Sequence, residues 1–366
     1  MNRKNAFVRI VLTPFALLYR LTAGVRNLLF DIHLLPSRRY DIPVICVGNI
    51  AVGGTGKTPV TEYLIALLKD QYRIATLSRG YKRCTKGFVW VDANSTVTEA
   101  GDEACQVKQK FPDILVAVDG NRRRGINRLL SLPAGRRPEV ILLDDAMQHR
   151  YVKPSLTIML SSYQSMYYAD KMLPVGNLRE SIKSVYRADI VVATKCPDAI
   201  KPADAGLIEK SMMLKAHQRL YFTRIMYFPL EALFPSFAQR PCSLNEIQEE
   251  ELLLVVGIAN PQPFIETVRS CHDRFTTCIF PDHHRFTMAD IHDIHVEFQK
   301  KGSRSKRIIT TEKDAMRLKT LACLPDEWKP VLYYLPMYVQ FLFDQGTNFN
   351  KNILEHIHSY RKHVTN

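Results

Sequence analysis

The chain has 366 residues, of which 46% are hydrophobic and 23% are charged, ordinary values for a globular protein of about two domains that exclude collagen-like, coiled-coil and wholly disordered chains. Its 50 Lys and Arg exceed its 36 Asp and Glu and give a net charge of +14. This charge favours anionic partners, namely nucleic acid, phosphorylated substrates or an anionic membrane, although a merely basic soluble protein fits it equally well. The eight cysteines form no Cys-x-x-Cys pair, which is typical of reduced thiols in a cytoplasmic protein.

The first predicted element is an apolar helix over residues 6–30 that three arginines interrupt. Its longest uncharged run, residues 10–19, is too short to cross a bilayer, because a spanning helix needs about 20 apolar residues. No convincing signal-peptide cleavage site follows it. An apolar helix with arginines fits an interfacial helix on an anionic membrane, and a helix packed in the core is the alternative. We predict that residues 1–30 associate with a membrane surface.

The next segment, residues 31–218, alternates between short apolar runs and helical stretches. Buried parallel strands are predicted over residues 43–47, 74–78, 115–118, 140–143, 156–160 and 189–194. Helices predicted over residues 58–69 and 101–110 separate some of them. Strands with helical crossovers form a parallel sheet covered on both faces, and ligands of such sheets bind at the carboxyl ends of the strands.

The pattern changes in the second half of the chain, where two extended, aromatic-rich runs occupy residues 219–228 and 330–338. Between them, strands are predicted over residues 252–256, 275–280 and 307–311. We interpret the two runs as a two-stranded linker to a second, smaller α/β domain over residues 229–329. A helix predicted over residues 350–361, within a C-terminal extension of residues 339–366, would pack on the first domain.

A glycine-rich loop lies between the first predicted strand and the first predicted helix of this α/β segment, with the sequence Gly48-Asn-Ile-Ala-Val-Gly-Gly-Thr-Gly-Lys-Thr58. Glycines let backbone N–H groups converge on phosphate oxygens, and the helix N-terminus adds a positive dipole end. The residues predicted to hold the phosphates of a nucleotide are Gly53, Gly54, Thr55, Gly56, Lys57 and Thr58. In such a phosphate-binding loop (P-loop) Lys57 would reach the β- and γ-phosphates, and the Thr58 hydroxyl would hold Mg²⁺. Ala51 stands where the strict motif has glycine.

A second apolar strand ends in two carboxylates, Asp144 and Asp145. In P-loop proteins an acidic residue at this place faces the metal ion or its water, so both are candidate metal ligands, and a helix N-cap is the alternative interpretation. Loop and carboxylates together predict a site for a Mg²⁺–nucleoside triphosphate. They do not identify the group that is phosphorylated.

The motifs of the chain, in their order, resemble the tetraacyldisaccharide 4'-kinase (lipid A 4'-kinase) family. They are Val47-Gly-Asn-Ile-Ala-Val-Gly-Gly-Thr-Gly-Lys-Thr-Pro59, Leu77-Ser-Arg-Gly-Tyr81, Gly101-Asp-Glu103, Asp144-Asp-Ala-Met-Gln-His-Arg150, Leu173-Pro-Val-Gly-Asn-Leu-Arg-Glu180, Gly257-Ile-Ala-Asn-Pro261, Phe280-Pro-Asp-His-His284 and Thr311-Glu-Lys-Asp-Ala315. Ala146 and Met147 replace the family's Gly-Phe, and three arginines follow Asp119 where the family has a single one.

The resemblance implies a P-loop NTPase-like α/β/α domain joined to a second α/β/α domain. It implies ATP-dependent, Mg²⁺-dependent phosphorylation of the 4'-hydroxyl of a tetraacyldisaccharide 1-phosphate, which gives lipid IVA in lipopolysaccharide synthesis. It also implies a protein on the cytoplasmic face of a Gram-negative inner membrane, peripheral or monotopic. We expect a monomer with a lipid substrate and no nucleic-acid partner.

The resemblance also assigns roles to individual residues. Asp102 matches the family's catalytic base and His283 its partner from the second domain, although the neighbouring His284 is an alternative. Lys57 is implied in catalysis, and Glu103 joins the candidate metal ligands.

The predicted substrate-binding residues are Arg79, Gln148 and Arg179. Arg79 follows a predicted strand end, where a guanidinium could bind a phosphate through two hydrogen bonds. Gln148, Arg179 and Glu180 occupy family motifs near the same edge of the sheet, and a structural hydrogen-bonding role is equally open for each of them.

Two other functions compete with a lipid kinase. A P-loop GTPase or ATPase switch of the metallochaperone type could carry the same loop, but neither Thr194-Lys-Cys-Pro-Asp198 nor Thr311-Glu-Lys-Asp314 matches the motif that reads guanine. A nucleic-acid-binding ATPase would suit the positive charge, but long basic tracts and zinc or helix-turn-helix signatures are absent from the sequence.

Overall fold

The computed structural model describes residues 6–238, 242–302, 305–321 and 323–365. The helices of these ranges are α1 (Ala6–Asp31), α2 (Lys57–Leu68), α3 (Val97–Ala100), α4 (Asp102–Lys110), α5 (Arg122–Leu130), α6 (Pro202–Met212), α7 (Gln262–Cys271), α8 (Met288–Gln299), α9 (Glu312–Lys319) and α10 (Gln345–Thr365). The strands are β1 (Val44–Gly48), β2 (Ile74–Ser78), β3 (Val89–Val91), β4 (Leu115–Val118), β5 (Val140–Asp144), β6 (Leu156–Ser162), β7 (Ile190–Thr194), β8 (Arg219–Tyr227), β9 (Glu231–Ala232), β10 (Glu251–Val256), β11 (Phe275–Ile279), β12 (Lys306–Thr311), β13 (Leu332–Leu335) and β14 (Met337–Phe341). They form two sheets, and the predicted α/β class is confirmed.

The larger sheet has nine strands in the order β14-β8-β7-β6-β1-β5-β2-β4-β3. The strands from β8 to β4 run parallel, and β14 and β3 are antiparallel edges. All five residues of β1, β5 and β7 are buried, because helices cover both faces of the sheet. Ile45 of β1 packs in the core beneath α2 and α10, and its neighbour Cys46 packs beneath α5 and α6. We call this part of the chain the nine-stranded unit.

The smaller sheet has five strands in the order β11-β10-β12-β13-β9, all parallel except β9. Leu254 of β10 packs towards α7, and its neighbours Leu253 and Val255 pack towards α8 and α9. Two apolar cores therefore lie on opposite faces of the central strand. We call this part the five-stranded unit.

The chain passes between the units twice. It leaves the larger sheet at the end of β8 and returns through β13 and β14. The returning run, predicted as one extended segment, forms two strands in different sheets, because Pro336 lies between them and has no N–H to donate to a ladder. The outgoing run, β8, pairs with β7 and β14 and is therefore part of the larger sheet. Phe228 N donates to Pro336 O at 2.9 Å, and the Phe228 ring stacks on Tyr338.

Helix α1 contacts the nine-stranded unit near its C-terminal end. Phe30 is buried, its ring lies 4.9 Å from that of Tyr151, and the guanidinium of Arg150 lies 5.0 Å from the Phe30 centroid. Much of the apolar surface of α1 is exposed, at Val11, Phe15, Leu17, Leu18, Leu21, Val25 and Leu28. No helix among the described residues is both long enough and apolar enough to cross a bilayer.

Candidate active site

The P-loop joins β1 to α2 at the carboxyl edge of the larger sheet. Gly53 has φ 107° and Gly56 has φ 82°, values in the left-handed region that side-chain-bearing residues rarely adopt. Asn49 Nδ2 donates to Thr55 Oγ1 at 2.9 Å across the loop, and Thr58 is buried in the first turn of α2. Gly53 and Gly56 therefore adopt backbone conformations that glycine favours, and the loop ends at the N-terminus of α2.

Two residues at the end of β7 hold the P-loop through hydrogen bonds to its backbone carbonyls. Thr194 Oγ1 donates to Thr55 O at 2.8 Å, and Lys195 Nζ donates to Gly54 O at 2.7 Å. Burial and the charges of Lys313 and Lys57 lower the pKa of Lys195. Neither residue is among the predicted site residues, although a strand end at the ligand edge of a parallel sheet is a recognisable signal.

The two carboxylates that end β5 have different surroundings. Asp145 has φ 47°, lies 3.7 Å from Lys57 Nζ, and accepts two hydrogen bonds from Arg179, at 2.9 and 3.2 Å. Burial would raise the pKa of Asp145, but Lys57 and Arg179 outweigh it and lower the pKa. Asp144 is buried, and burial with the nearby Glu103 charge raises its pKa to about 7.

The Oδ1 atom of Asp144 has no hydrogen-bond partner among the described residues. An unpaired buried carboxylate oxygen is costly unless a ligand satisfies it, so a cation with its waters fits here. The described part of the chain holds no group of three or more His, Cys, Asp and Glu that could hold a metal ion. Asp145 pairs with Lys57 and Arg179, and Glu103 pairs with Lys313 at 2.7 Å, so a metal-binding role for these two carboxylates stays a prediction.

Two of the predicted substrate-binding side chains contact the P-loop in this structure. Gln148 Nε2 donates to Asn49 O at 2.8 Å. Arg179 donates to the side chains of both Asn49 and Asp145. The third, Arg79, is exposed at the end of β2.

The structure also shows the surroundings of the positions at which this sequence differs from the family pattern. The positive φ lies at Asp145 and not at Ala146, so alanine is compatible with the backbone there. Among the three consecutive arginines, Arg124 binds Asp119 through two 2.8 Å contacts, and Arg122 is buried with Nη2 3.3 Å from Asp144 O.

Asp102 and His283 meet across the two units. Asp102 begins α4, is buried, and has Oδ2 2.8 Å from Nδ1 of His283. The residue before it, Gly101, has φ 88°, and a Cβ there would lie 2.9 Å from Tyr81 O. The Tyr81 ring lies 4.9 Å from the His283 ring. Only a glycine fits this tight turn, which sets the start of the helix.

The adjacent histidines point to different partners. His284 Nε2 lies 2.9 Å from Asp290 Oδ2, and its ring stacks on Phe280 within the five-stranded unit. The structure therefore places His283, and not His284, against Asp102.

Two cations of α9 complete the cluster. Arg317 Nη2 also donates to Asp102 Oδ2, and Lys313 pairs with Glu103. Burial would raise the pKa of Asp102, but the hydrogen bond from His283 and the charges of Lys313 and Arg317 outweigh it and lower the pKa. Neither cation is among the predicted site residues. Lys313 lies inside the Thr311–Ala315 motif, whereas nothing in the sequence pointed to Arg317.

Comparisons with known proteins agree with these motifs. The family model described as "Tetraacyldisaccharide-1-P 4'-kinase" (LpxK) matches residues 8–358. A tetraacyldisaccharide 4'-kinase of Parabacteroides distasonis is 50% identical over 95% of this chain and 94% of its own, and one of Flavobacterium johnsoniae is 47% identical over 96% and 97%. A crystal structure of LpxK from Aquifex aeolicus in complex with ATP superposes with a TM-score of 0.73 at 27% identity, covering 96% of this chain and 99% of that one. The chain belongs to the tetraacyldisaccharide 4'-kinase family.

Proposed function

We propose that this protein transfers the γ-phosphate of ATP to the 4'-hydroxyl of a tetraacyldisaccharide 1-phosphate and so forms lipid IVA in lipid A biosynthesis. The observation that carries the proposal is the meeting of Asp102 and His283, from different units, next to Glu103, whose charge acts on Asp144 at the end of β5. A triphosphate site alone serves many functions, whereas a buried carboxylate paired with an imidazole adds a group that can accept a proton. Relatives of 41–50% identity bear the name of this kinase.

In the proposed reaction the P-loop N–H groups and Lys57 bind the triphosphate and offset its charge. The 4'-oxygen attacks the γ-phosphorus, the bond from that phosphorus to the bridging oxygen breaks, and ADP leaves. Asp102 accepts the proton of the attacking hydroxyl, and His283 holds the carboxylate in position. Most of the catalysis would come from positioning and electrostatic stabilisation, as in other phosphoryl transfers.

Thr58 and Asp144 are the residues we propose for Mg²⁺, because both are buried beside the P-loop and Asp144 Oδ1 lacks a partner among the described residues. When bound there, Mg²⁺ would neutralise charge on the phosphate oxygens. Asp145 would act on the loop instead, through Lys57 and Arg179.

We propose that the lipid is reached from a membrane surface, the cytoplasmic face of the inner membrane, with the protein as a peripheral monomer. The exposed apolar side chains of α1 are of the kind that enter the headgroup region. Helix α1 also contacts the site, since Tyr19 Oη donates to Arg179 O at 2.9 Å and Arg26 to Gln148 O at 2.7 Å. A membrane against α1 would therefore lie close to the residues that brace the P-loop.

The test is transfer of label from [γ-³²P]ATP to the tetraacyldisaccharide 1-phosphate in detergent micelles with Mg²⁺. Labelled lipid that disappears with Lys57→Ala supports the proposal. ATP hydrolysis without labelled lipid would favour the P-loop switch protein and remove the roles given to Asp102 and His283. Wild-type and Lys57→Ala protein should melt at similar temperatures, so that the loss reports on chemistry.

A further inference from the structure

Hydrogen bonds hold the N-terminus of α9 to the rest of the five-stranded unit. Thr311 caps the helix, with its Oγ1 3.2 Å from Asp314 N and 2.7 Å from Asp314 Oδ2. Asp314 Oδ2 also accepts from Gly257 N at 2.8 Å, so the cap is joined to the end of β10. The position of α9 relative to the five-stranded sheet is therefore set by this cap.

Lys313 and Arg317 are four residues apart on α9, so they lie on the same face of the helix. They meet two consecutive carboxylates in the first turn of α4: Lys313 Nζ lies 2.7 Å from Glu103 Oε1, and Arg317 Nη2 binds Asp102 Oδ2. The two ion pairs therefore join one face of α9 to the first turn of α4, and so join the two units.

Two contacts within the five-stranded unit hold the Arg317 guanidinium in the orientation in which it binds Asp102. Its Nη1 donates to Asp314 Oδ1 at 2.6 Å and to Gly257 O at 2.9 Å. A Cβ at Gly257 would lie 2.9 Å from Asp314 Oδ1, so a glycine permits this close approach. The side chains of Arg317 and Asp102 are 6% and 2% exposed, so little solvent competes for the contact.

From this geometry we propose that Lys313 and Arg317 form a two-cation clamp that holds the two units closed and aligns Asp102 and Glu103 at the P-loop. Both are positioning residues that act through the carboxylates. The inference rests on the proposed phosphoryl transfer for its effect on turnover, whereas the effect on closure needs no substrate.

The clamp predicts separate effects on turnover and on nucleotide binding. Arg317→Met should lower kcat by about 100-fold, because a misplaced reacting group costs on this order, and should leave KM for ATP near the wild-type value. Arg317→Lys keeps the charge and should restore part of kcat. The matched control is Arg274→Met, since Arg274 is an exposed arginine of the same unit paired with Glu249 at 3.4 Å, and its kcat should equal that of wild type.

Closure is measured by hydrogen exchange on the full chain without lipid. Arg317→Met should speed amide exchange in both α4 and residues 281–287 relative to wild type and to Arg274→Met. A fall in melting temperature with normal kcat per folded molecule, or no gain from Arg317→Lys over Arg317→Met, would overturn the clamp. Unchanged exchange in those two segments would overturn the clamp whether or not the protein phosphorylates lipid. Absence of labelled lipid with the wild-type protein would count against the proposed function alone.

Discussion

Lys110, the last residue of α4, joins the two units through an ion pair with one carboxylate from each of them. Its Nζ lies 2.7 Å from Glu62 of α2 and 3.1 Å from Glu312 of α9, and each carboxylate side chain is only 5% exposed. Burial and the mutual repulsion of the two carboxylates raise the pKa of Glu62 to about 7, and burial also raises that of Glu312. Lys110→Met would leave two buried carboxylates without their shared cation.

Breaking a buried ion pair by removal of one partner costs about 3–5 kcal/mol. At about 2–4 °C per kcal/mol for a domain of this size, the melting temperature should fall by about 6–20 °C at pH 8. The deficit should shrink at pH 6. In the folded variant the raised pKa values let both carboxyls bind protons that the unfolded chain releases above about pH 4.3, so stability rises as the pH falls.

The assay is thermal unfolding of wild type and variants, followed by circular dichroism at pH 6 and pH 8. The matched control is Lys69→Met, because Lys69 pairs with Asp70 at 2.9 Å on the surface, with 42% and 79% of the side chains exposed. Such a pair contributes about 0–1 kcal/mol. A Lys110→Met variant that melts with the control, or shows an equal deficit at both pH values, would refute the reasoning.

Three further predictions concern the site and α1. Asp102→Asn should remove most lipid phosphorylation but retain ATP binding, as measured by calorimetry, and unchanged turnover would exclude Asp102 as the base. Gly56→Ala should weaken ATP binding, because φ 82° costs a side-chain-bearing residue about 1–2 kcal/mol, and equal affinity of the two proteins would contradict the assigned backbone role. Replacing Phe15, Leu18 and Leu21 by Ser should weaken sedimentation with anionic vesicles, since each side chain is at least 60% exposed, and unchanged partitioning would exclude α1 as the membrane contact.

The parts of the fold that the sequence predicts well are those with local causes. The buried strands are short apolar runs, and the P-loop is a continuous motif whose glycines have a backbone reason at Gly53 and Gly56. The returning aromatic run was harder, since its residues favour strands throughout and only Pro336 separates two strands that join different sheets.

The site is harder to predict because its partners are distant in sequence. The Asp102–His283 pair was expected only from the family resemblance, and no local pattern distinguishes His283 from His284. Arg317 was missed because α9 resembles an exposed charged helix, whereas its partner Asp102 comes from the other unit and buries it. Gln148 donates to a backbone carbonyl of the P-loop, which is the structural role left open beside substrate binding, and sequence carries no signal of such a contact.

The double crossing between the units affects how reproducibly His283 can return to Asp102. A single flexible linker would hold the five-stranded unit at an effective concentration in the millimolar range and allow many orientations. Here β8 and β14 are hydrogen-bonded side by side, and Phe228 extends the pairing to Pro336 where the chain leaves the sheet. Two joined strands can bend together but cannot swivel independently. Motion between the units is therefore confined to few degrees of freedom, and most of the orientational entropy of assembling the site is lost once, when the chain folds, and not in every catalytic cycle.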